Sequence, residues 1–381
     1  MTFQLKDSFG PDVVELIADM ISGAYPAFPR ERFLAGALDG YDDLELSARG
    51  RKITLALRRT LPDDPEHAIE ILIASLPPLE QDAELKGMQV FRYLPHTYFV
   101  ADYGLDCFDT SMRAQYELTQ RFSAEFSIRA FLTHHPERTL VALRKWASDP
   151  SEHVRRLVSE STRPRLPWAG RLRAFRADPS PVLELLELLK DDPSDYVRRS
   201  VANNLNDIGK DHPQIAVDIC RRWMRDASPN RQRLVRHALR SLVKSGHPGA
   251  LDILGVAYGA QAELSHAAIE PAIVAIGDQI TISFEMRNPG TAHERYVVDY
   301  RVHFVKSNGG TTPKVFKIST VELEPGGAQW FARRLSLQQR TTRTHYPGQH
   351  RVEALVNGVA YPIGEFELVA ELDAGVASTV S

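Results

Sequence analysis

The sequence predicts an all-α helical-repeat solenoid followed by an all-β sandwich. The first observation is an internal repeat, in which residues 135–158 match residues 212–235 at an offset of 77 positions. A third copy of the Val-Arg-Arg string at 154–156 lies at 197–199. The second observation is a change to alternating apolar and polar residues after residue 265. Periods of about 35–45 residues built from helix pairs are typical of HEAT-like arrays, and alternation is typical of strands.

The helical part is divided by prolines. From residue 12 to about 260, apolar residues recur every three or four positions between His-Pro and Asp-Pro steps. These steps disfavour helix at the residue before the proline and therefore mark helix ends. Segments such as 65–76, 139–147 and 214–224 predict amphipathic helices between the breaks. We expect a HEAT-like repeat domain over residues 1–262.

The strand part is divided by glycine-rich turns. Its segments between 280 and 358 end in Asn-Pro-Gly, Asn-Gly-Gly, Pro-Gly-Gly or Asn-Gly. Glycine supplies the positive φ that tight turns need, so these endings indicate turns between strands. About seven strands fit into roughly 105 residues, which suits an immunoglobulin-like sandwich. We expect that sandwich over residues 266–370 and a flexible tail over 371–381.

The composition is that of a soluble globular protein, with 43% hydrophobic and 25% charged residues among 381. The N-terminus does not resemble a secretory leader, and no stretch approaches the roughly 20 apolar residues of a membrane span. The two cysteines, Cys107 and Cys220, lack metal-ligand spacing. We therefore expect a cytoplasmic protein with reduced thiols and no membrane contact.

Charge is distributed unevenly along the chain. Residues 1–110 contain 19 acidic and 10 basic residues, whereas residues 144–244 contain 13 acidic and 21 basic ones. A basic segment inside a mildly acidic chain indicates a local site for a polyanion. A solvated helix face would give the same balance, so charge alone leaves both interpretations open.

Polar residues in two repeat copies follow the helix face opposite the apolar stripe. Arg199, Asn203 and Asp207 are spaced by four and lie about 200° from that stripe. The earlier copy has Arg156 and Glu160 on the corresponding face. An arginine and a carboxylate one turn apart are usually a surface ion pair of little energetic weight. In a solenoid, however, adjacent copies bring such pairs side by side on one surface.

A helix-breaking segment follows the earlier copy. Residues 161–171 read STRPRLPWAGR and contain two prolines, three arginines and Trp168. An exposed tryptophan beside arginines can stack on a base or sugar next to a bound phosphate. The alternative is that Trp168 anchors the next helix in the core.

Three segments carry a resemblance to a known family. Residues 125–131, 154–168 and 197–213 read EFSIRAF, VRRLVSESTRPRLPW and VRRSVANNLNDIGKDHP. They resemble the HEAT-like-repeat DNA alkylpurine glycosylases of the AlkC and AlkD group, and most of all the AlkC branch, some members of which carry a C-terminal immunoglobulin-like domain. The resemblance covers most of residues 1–260 and, through the sandwich, nearly the whole chain. The helix expected around Glu125 lacks a clean apolar stripe and is the weakest copy.

The resemblance implies an activity and a set of site residues. The family excises cationic N-methylated bases, such as 3-methyladenine and 3-methylcytosine, by hydrolysing the N-glycosidic bond without fully extruding the base. The implied catalytic residues are Glu125, Glu160, Asp207 and Trp168. The implied DNA-binding residues are Arg156, Arg163, Arg165, Arg199 and Asn203. Carboxylates near C1′ can stabilise an oxocarbenium sugar and orient a water, and spacing leaves open which carboxylate orients it.

The expected partner is double-stranded DNA containing alkylated bases, bound by a monomer without cofactor or metal. The expected location is the cytoplasm, with association to the nucleoid during repair. The 13 histidines form no metal-binding motif, and the sequence has neither a nucleophile elbow nor a glycine-rich phosphate loop. The alternative is a non-catalytic adaptor that binds nucleic acid or protein, since most HEAT arrays are scaffolds.

Overall fold

A computed structural model describes residues 5–79, 87–339 and 343–371. The flexible tail predicted over 371–381 lies outside these residues from position 372 onward. In the described chain, 16 α-helices precede eight β-strands. This order confirms the predicted fold class of a HEAT-like helical-repeat part followed by an immunoglobulin-like β part.

The helices occupy the described chain up to residue 253. Their bounds are α1 Pro11–Ala24, α2 Arg30–Leu38, α3 Leu46–Arg58, α4 Pro65–Ala74, α5 Leu94–Tyr103, α6 Phe108–Arg121, α7 Ile128–His134, α8 Pro136–Trp146, α9 Glu152–Ser161, α10 Arg173–Ala177, α11 Ser180–Leu189, α12 Asp195–Ile208, α13 Pro213–Trp223, α14 Pro229–Ala238, α15 Arg240–Lys244 and α16 Pro248–Ile253. Several begin with proline in the first turn. Proline is tolerated there because the first N–H groups of a helix have no intrahelical partner.

The internal repeat forms successive pairs of helices. The copies are α8 with α9, α11 with α12, and α13 with α14. Helix α12 buries the predicted stripe of Val197, Val201 and Leu205, and α9 buries Val154 and Val158 in the same way. Helix α12 packs against α9 and against α14, so equivalent second helices lie side by side.

The strands form two sheets. Their bounds are β1 Glu263–Glu270, β2 Ile273–Ala275, β3 Gln279–Arg287, β4 Glu294–Val305, β5 Thr311–Leu323, β6 Ala328–Ser336, β7 Gly348–Val356 and β8 Val359–Val369. One sheet has the order β1-β3-β6, and the other has the order β2-β8-β7-β4-β5. All neighbours are antiparallel except β2 and β8.

Alternation along the strands builds the core of the sandwich. In β3, Ile280, Ile282, Phe284 and Met286 are buried, and the residues between them are more exposed. The side chains of a strand point alternately to its two faces, so one face of β3 packs inward. The described part has eight strands where about seven were expected, because the three-residue β2 adds a short edge strand.

The chain divides into two compact units. The first contains residues 1–211 and 228–238, and the second contains residues 212–227 and 239–381. The second unit therefore includes α13, α15 and α16 as well as the strands. All groups of the candidate site lie in the first unit. Across the described ranges, no helix is long and apolar enough to cross a membrane.

Candidate functional site

Six charged side chains in the first unit form a group that we call the charge cluster. Its members are Glu125, Glu160, Asp207, Arg129, Arg156 and Arg163. They come from α7 and the turn before it, from α9, from α12, and from the loop at 162–172. Three acids balance three bases, as is required where charges are removed from water.

The two helical acids of the cluster are buried. Glu160 is 6% exposed and Asp207 is 1% exposed. The prediction that Asp207 and Glu160 lie on a solvent-facing side is therefore wrong. Helix α12 packs against α9, α11 and α14, and a helix with three packed neighbours has no broad solvent face.

The guanidinium of Arg163 joins these two carboxylates. Its Nη1 donates to Oε1 of Glu160 at 2.6 Å, and its Nε donates to Oδ2 of Asp207 at 2.9 Å. Each acid also accepts from one of its neighbours: Ser200 Oγ donates to Glu160 Oε2 at 2.6 Å, and Lys210 Nζ donates to Asp207 Oδ1 at 2.8 Å. Arg163 is itself buried, so its donors hold the two acids in fixed orientations.

The third acid, Glu125, was expected in a helix. It lies instead in a turn before α7. Ser123 bonds it locally in two ways. The Ser123 hydroxyl donates to Oε2 of Glu125 at 2.9 Å and accepts the Glu125 backbone N–H at 3.3 Å. Serine side chains that bond nearby backbone in this way compete with helix formation, which explains why the helix begins only at Ile128.

Arg156 connects the turn to α9. Its Nη1 donates to Oε2 of Glu125 at 2.8 Å, and its Nη2 lies 3.7 Å from Oε1 of Glu160. The guanidinium also lies over the ring of Tyr196, 4.9 Å from the centroid. Burial opposes the charge of Arg156, but Glu125 and Glu160 outweigh it and raise the pKa.

Arg129 on α7 is a site residue that the sequence did not single out. Its Nη1 donates to the backbone carbonyls of Ser161 and Arg163, both at 2.8 Å, and its Nη2 donates to the carbonyl of Gly170. Burial, and next the charge of Arg163, lower the pKa of Arg129 to about 10. The side chain therefore remains charged at neutral pH.

Trp168 lies on the surface of the loop at 162–172. It is 91% exposed, and its φ is 62°. The alternative that Trp168 anchors a helix in the core is therefore wrong. A left-handed backbone is uncommon for a bulky residue and persists where the surrounding structure fixes it. Leu166, two residues earlier, is buried and anchors the loop.

Two arginines share one carboxylate beside this loop. Arg165 donates through Nε and Nη2 to the two oxygens of Asp211, at 2.9 and 2.5 Å. Arg176 from α10 donates in the same manner, at 3.0 and 2.8 Å. Hydrogen bonds from Arg165 and Arg176 hold the pKa of Asp211 well below its usual range. The pair of arginines leaves this group with a net positive charge.

The remaining predicted residues lie toward the surface of α12. Arg199 has a side chain that is 71% exposed, and its nearest ion partner is Asp195 at 3.9 Å. Asn203 is partly buried, and its Oδ1 lies 2.9 Å from Nε2 of His237. These two residues are thus more exposed than the buried acids.

Some residues that the sequence analysis missed could have been found from the repeat, and others could not. His237 follows Glu160 by 77 positions, so the repeat register alone would have pointed to it. Arg129 and Ser200 had no comparable signal, because their roles depend on contacts between distant segments. Within the described ranges, no group of three or more His, Cys, Asp or Glu side chains could hold a metal ion.

Two family models match this chain. Residues 121–244 match the model described as DNA alkylation repair enzyme. Residues 263–370 match the model described as the C-terminal Ig-like domain of the uncharacterised protein YhaZ. The first match contains every member of the charge cluster, and the second contains every strand.

Two relatives cover nearly the whole chain. The uncharacterized protein YhaZ of Bacillus subtilis (strain 168) is 34% identical over 355 residues, which are 93% of this chain and 96% of YhaZ. The structure of the Pseudomonas fluorescens alkylpurine DNA glycosylase AlkC, bound to DNA containing an abasic site analog, is 39% identical with a TM-score of 0.89. That match covers 97% of this chain and 100% of AlkC. The chain therefore belongs to the DNA alkylation repair enzyme family, in the group that contains AlkC.

Proposed function

We propose that this protein is a DNA glycosylase of base excision repair that acts on cationic N-methylated bases, with 3-methyladenine and 3-methylcytosine as the expected substrates. The observation that carries the proposal is the pair of buried carboxylates, Glu160 and Asp207, joined by Arg163 next to an exposed Trp168. Family membership and the match to AlkC support the same reaction class.

The reaction breaks the bond between C1′ of deoxyribose and a nitrogen of the methylated base. The electron pair of that bond goes to the base, which leaves neutral because it was cationic, so no general acid is needed. The sugar then carries oxocarbenium character, and a water adds its oxygen to C1′ and gives up a proton to one of the carboxylates, which acts as a weak base. Carboxylates near C1′ stabilise the developing positive charge and accept a hydrogen bond from that water.

The proposed roles follow from where each side chain lies. Asp207, Glu160 and Glu125 supply negative charge, and Trp168 packs its indole face against the sugar or the cationic base. Arg156 and Arg163 orient the acids through the ion pairs described above. In this assignment Arg156 and Arg163 serve the carboxylates, whereas the sequence analysis expected both of them to bind DNA.

DNA contacts are assigned to side chains nearer the surface. Arg199 is exposed, and Arg165 is held beside Arg176 with a net positive charge, so both suit phosphate oxygens. Asn203 lies on the same helix as Arg199 and is assigned a polar contact to the duplex. The partner is double-stranded DNA with alkylated bases, and the protein acts as a monomer in the cytoplasm, without a cofactor.

We further propose that the base is excised without complete extrusion from the duplex. An exposed Trp168 can reach the sugar edge of a stacked nucleotide, whereas a flipped base needs an enclosing pocket. A non-catalytic adaptor remains the competing function, since helical repeats are commonly scaffolds. The adaptor would bind DNA without base release and would tolerate changes to the buried acids.

The test is release of 3-methyladenine from a methylated duplex under single-turnover conditions. Asp207→Asn and Glu160→Gln are expected to lower the rate by at least about 100-fold, since electrostatic groups of this kind contribute about 3–4 kcal/mol. DNA binding, measured on an abasic-site duplex, should persist in both variants. Glu184→Gln is the control, because Glu184 pairs with Arg144 on the surface. A wild type that binds the duplex and releases no base would reject the proposal in favour of the adaptor.

A further inference from the structure

The packing of the Trp168 side chain does not explain the backbone conformation of this residue. It is 91% exposed, so side-chain packing does not fix it, yet its backbone adopts φ 62°. Such a conformation costs about 1–3 kcal/mol in a non-glycine residue and persists only where other contacts enforce it. Contacts elsewhere in the loop at 162–172 must therefore enforce it, and they include the buried side chain of Leu166 and hydrogen bonds to the loop backbone.

Arg129 makes the hydrogen bonds to the loop backbone. Its guanidinium binds the carbonyl of Ser161, the last residue of α9, and the carbonyl of Arg163 two residues later. It also binds the carbonyl of Gly170, two residues after Trp168. One rigid planar group thus ties the beginning of the loop to its end, and five donors in a fixed geometry suit this task.

Arg129 also belongs to the charge cluster. The charges of Glu125 and Asp207 favour its protonated form, whereas burial and the charge of Arg163 oppose it. Loss of this positive charge would leave three acids facing two bases, with Lys210 as the remaining nearby cation. The same side chain therefore acts on the loop backbone and on the balance of charge around the carboxylates.

We infer that Arg129 is a positioning residue of the active site, which sets the location of Trp168 and Arg163 by holding both ends of their loop. The inference rests on the proposed glycosylase function for its kinetic consequence, but its structural consequence is independent of any activity. Arg129 touches no substrate in this scheme and acts only through the loop.

Two variants separate the geometry of Arg129 from its charge. Arg129→Lys keeps the charge but has one nitrogen in place of the two that bind the three carbonyls, and Arg129→Met removes both the charge and the donors. The control is Arg49→Met, because buried Arg49 likewise donates to four backbone carbonyls, those of Lys6, Phe9, Asp42 and Leu44. All three variants, including the control, are thus expected to have a lower melting temperature. A lower melting temperature by itself therefore does not test the position of the loop.

The kinetic readout is the rate of 3-methyladenine release per folded molecule at saturating enzyme. A misplacement of about 1 Å costs on the order of 100-fold in rate, so we expect losses of about 10- to 100-fold in both Arg129 variants. Affinity for an abasic-site duplex should change less than about threefold, since surface arginines carry the phosphate contacts. The rate of Arg49→Met should equal that of the wild type.

The structural readout is ¹⁹F NMR of protein labelled with 5-fluorotryptophan. The chain has four tryptophans, and the resonance missing from Trp168→Phe identifies Trp168. That resonance should shift or split in Arg129→Lys and remain in place in Arg49→Met. If Arg129→Met does not fold, the lysine variant alone decides.

The outcomes are distinct. A folded Arg129→Lys with the wild-type rate and an unmoved Trp168 resonance would overturn the inference. A wild type without base release would reject the glycosylase proposal, while the ¹⁹F spectrum would still test whether Arg129 positions the loop.

Discussion

Helices α9 and α12 are copies of one repeat that begin at equivalent residues and end differently. Glu152 and Asp195 open the two helices at the 43-residue offset, but α9 has 10 residues and α12 has 14. Glu160 lies in the last turn of α9, and its counterpart in α12 is Asn203. The carboxylate of α12, Asp207, lies in the additional turn. Both copies of the repeat therefore form the helix, and the length of the helix determines where the acid lies.

The first arginine of each Val-Arg-Arg string has the same role in both copies. Arg155 donates to the carbonyls of Asp149 and Pro150, and Arg198 donates to those of Asp192 and Pro193. Each guanidinium caps the Asp-Pro turn that precedes its own helix. These two arginines belong to the framework of the repeat and satisfy the backbone acceptors of the two Asp-Pro turns.

The second arginine has different surroundings in the two copies. Arg156 is partly buried between Glu125 and Glu160, whereas Arg199 is exposed and has Asp195 at 3.9 Å. The difference arises from the neighbours, because α9 has the turn with Glu125 beside it, whereas among the residues that the structure describes only Asp195 lies within ion-pair distance of Arg199. One sequence motif thus gives a partly buried orienting group in one copy and an exposed, weakly paired cation in the next.

The largest expected effect on stability is that of replacing Arg163. This arginine has no counterpart in α12, where the equivalent position is Asn206. Arg163→Met removes the cation shared by Glu160 and Asp207 and leaves two buried acids without it. Removing one partner of a buried ion pair costs about 3–5 kcal/mol, so we expect a loss of that size in the free energy of unfolding. Urea denaturation at pH 7 measures it.

A second substitution sharpens this result. Adding Asp207→Asn to Arg163→Met removes one of the two carboxylates that lost this cation, so the double variant should lose less stability than the sum of the two single ones. Arg144→Met, in a surface pair with Glu184, should change stability by less than about 1 kcal/mol. Additive losses would mean that Arg163 and Asp207 are not coupled.

An intermediate effect is expected at Asp211, just beyond the additional turn of α12. Asp211→Asn should lower the free energy of unfolding by about 1–2 kcal/mol at pH 7, because it weakens the bonds from Arg165 and Arg176. The folded-state pKa of Asp211 is depressed, so its contribution is present above its unfolded pKa of about 3.9 and is lost as pH falls through the folded value.

The difference between wild type and Asp211→Asn should therefore be constant from pH 8 to about pH 5 and shrink below about pH 4. Denaturant unfolding at four pH values measures this difference, and comparison of the two proteins cancels other titrating groups. A difference that already declines between pH 7 and pH 5 would contradict the depressed pKa.

The sequence contained the local part of this architecture and not the long-range part. Two patterns are periodic and could therefore be predicted from the sequence: the helical stripe of Val197, Val201 and Leu205, and the alternation along the strands. The burial of Asp207 could not be read, because it depends on three neighbouring helices. Nor could the turn at Glu125 be predicted, since the local bonds of Ser123, one of them to the Glu125 backbone, compete with a weak helical pattern.

Within the loop, sequence identified the right residues and left their roles unresolved. Arg163 and Arg165 are two positions apart, yet one bonds the buried acids and the other bonds Asp211 at the loop edge. The direction of each side chain depends on a backbone that Arg129 holds from another helix. Composition therefore predicted a functional loop, but the pairing within it required the packed structure.

The smallest effect on stability, and the clearest contrast between the copies, is expected for the second arginines. Arg199→Met should change the free energy of unfolding by less than about 0.5 kcal/mol, since Arg199 is exposed and its ion partner is distant. If it contacts a phosphate, the slope of log K against log salt for duplex binding should become less steep by about 1. Arg156→Met should leave that slope unchanged, because Arg156 is already paired with Glu125, and should instead slow base release. Equal salt slopes for wild type and Arg199→Met would mean that the exposed copy carries no DNA contact, and the two copies would then differ in burial alone.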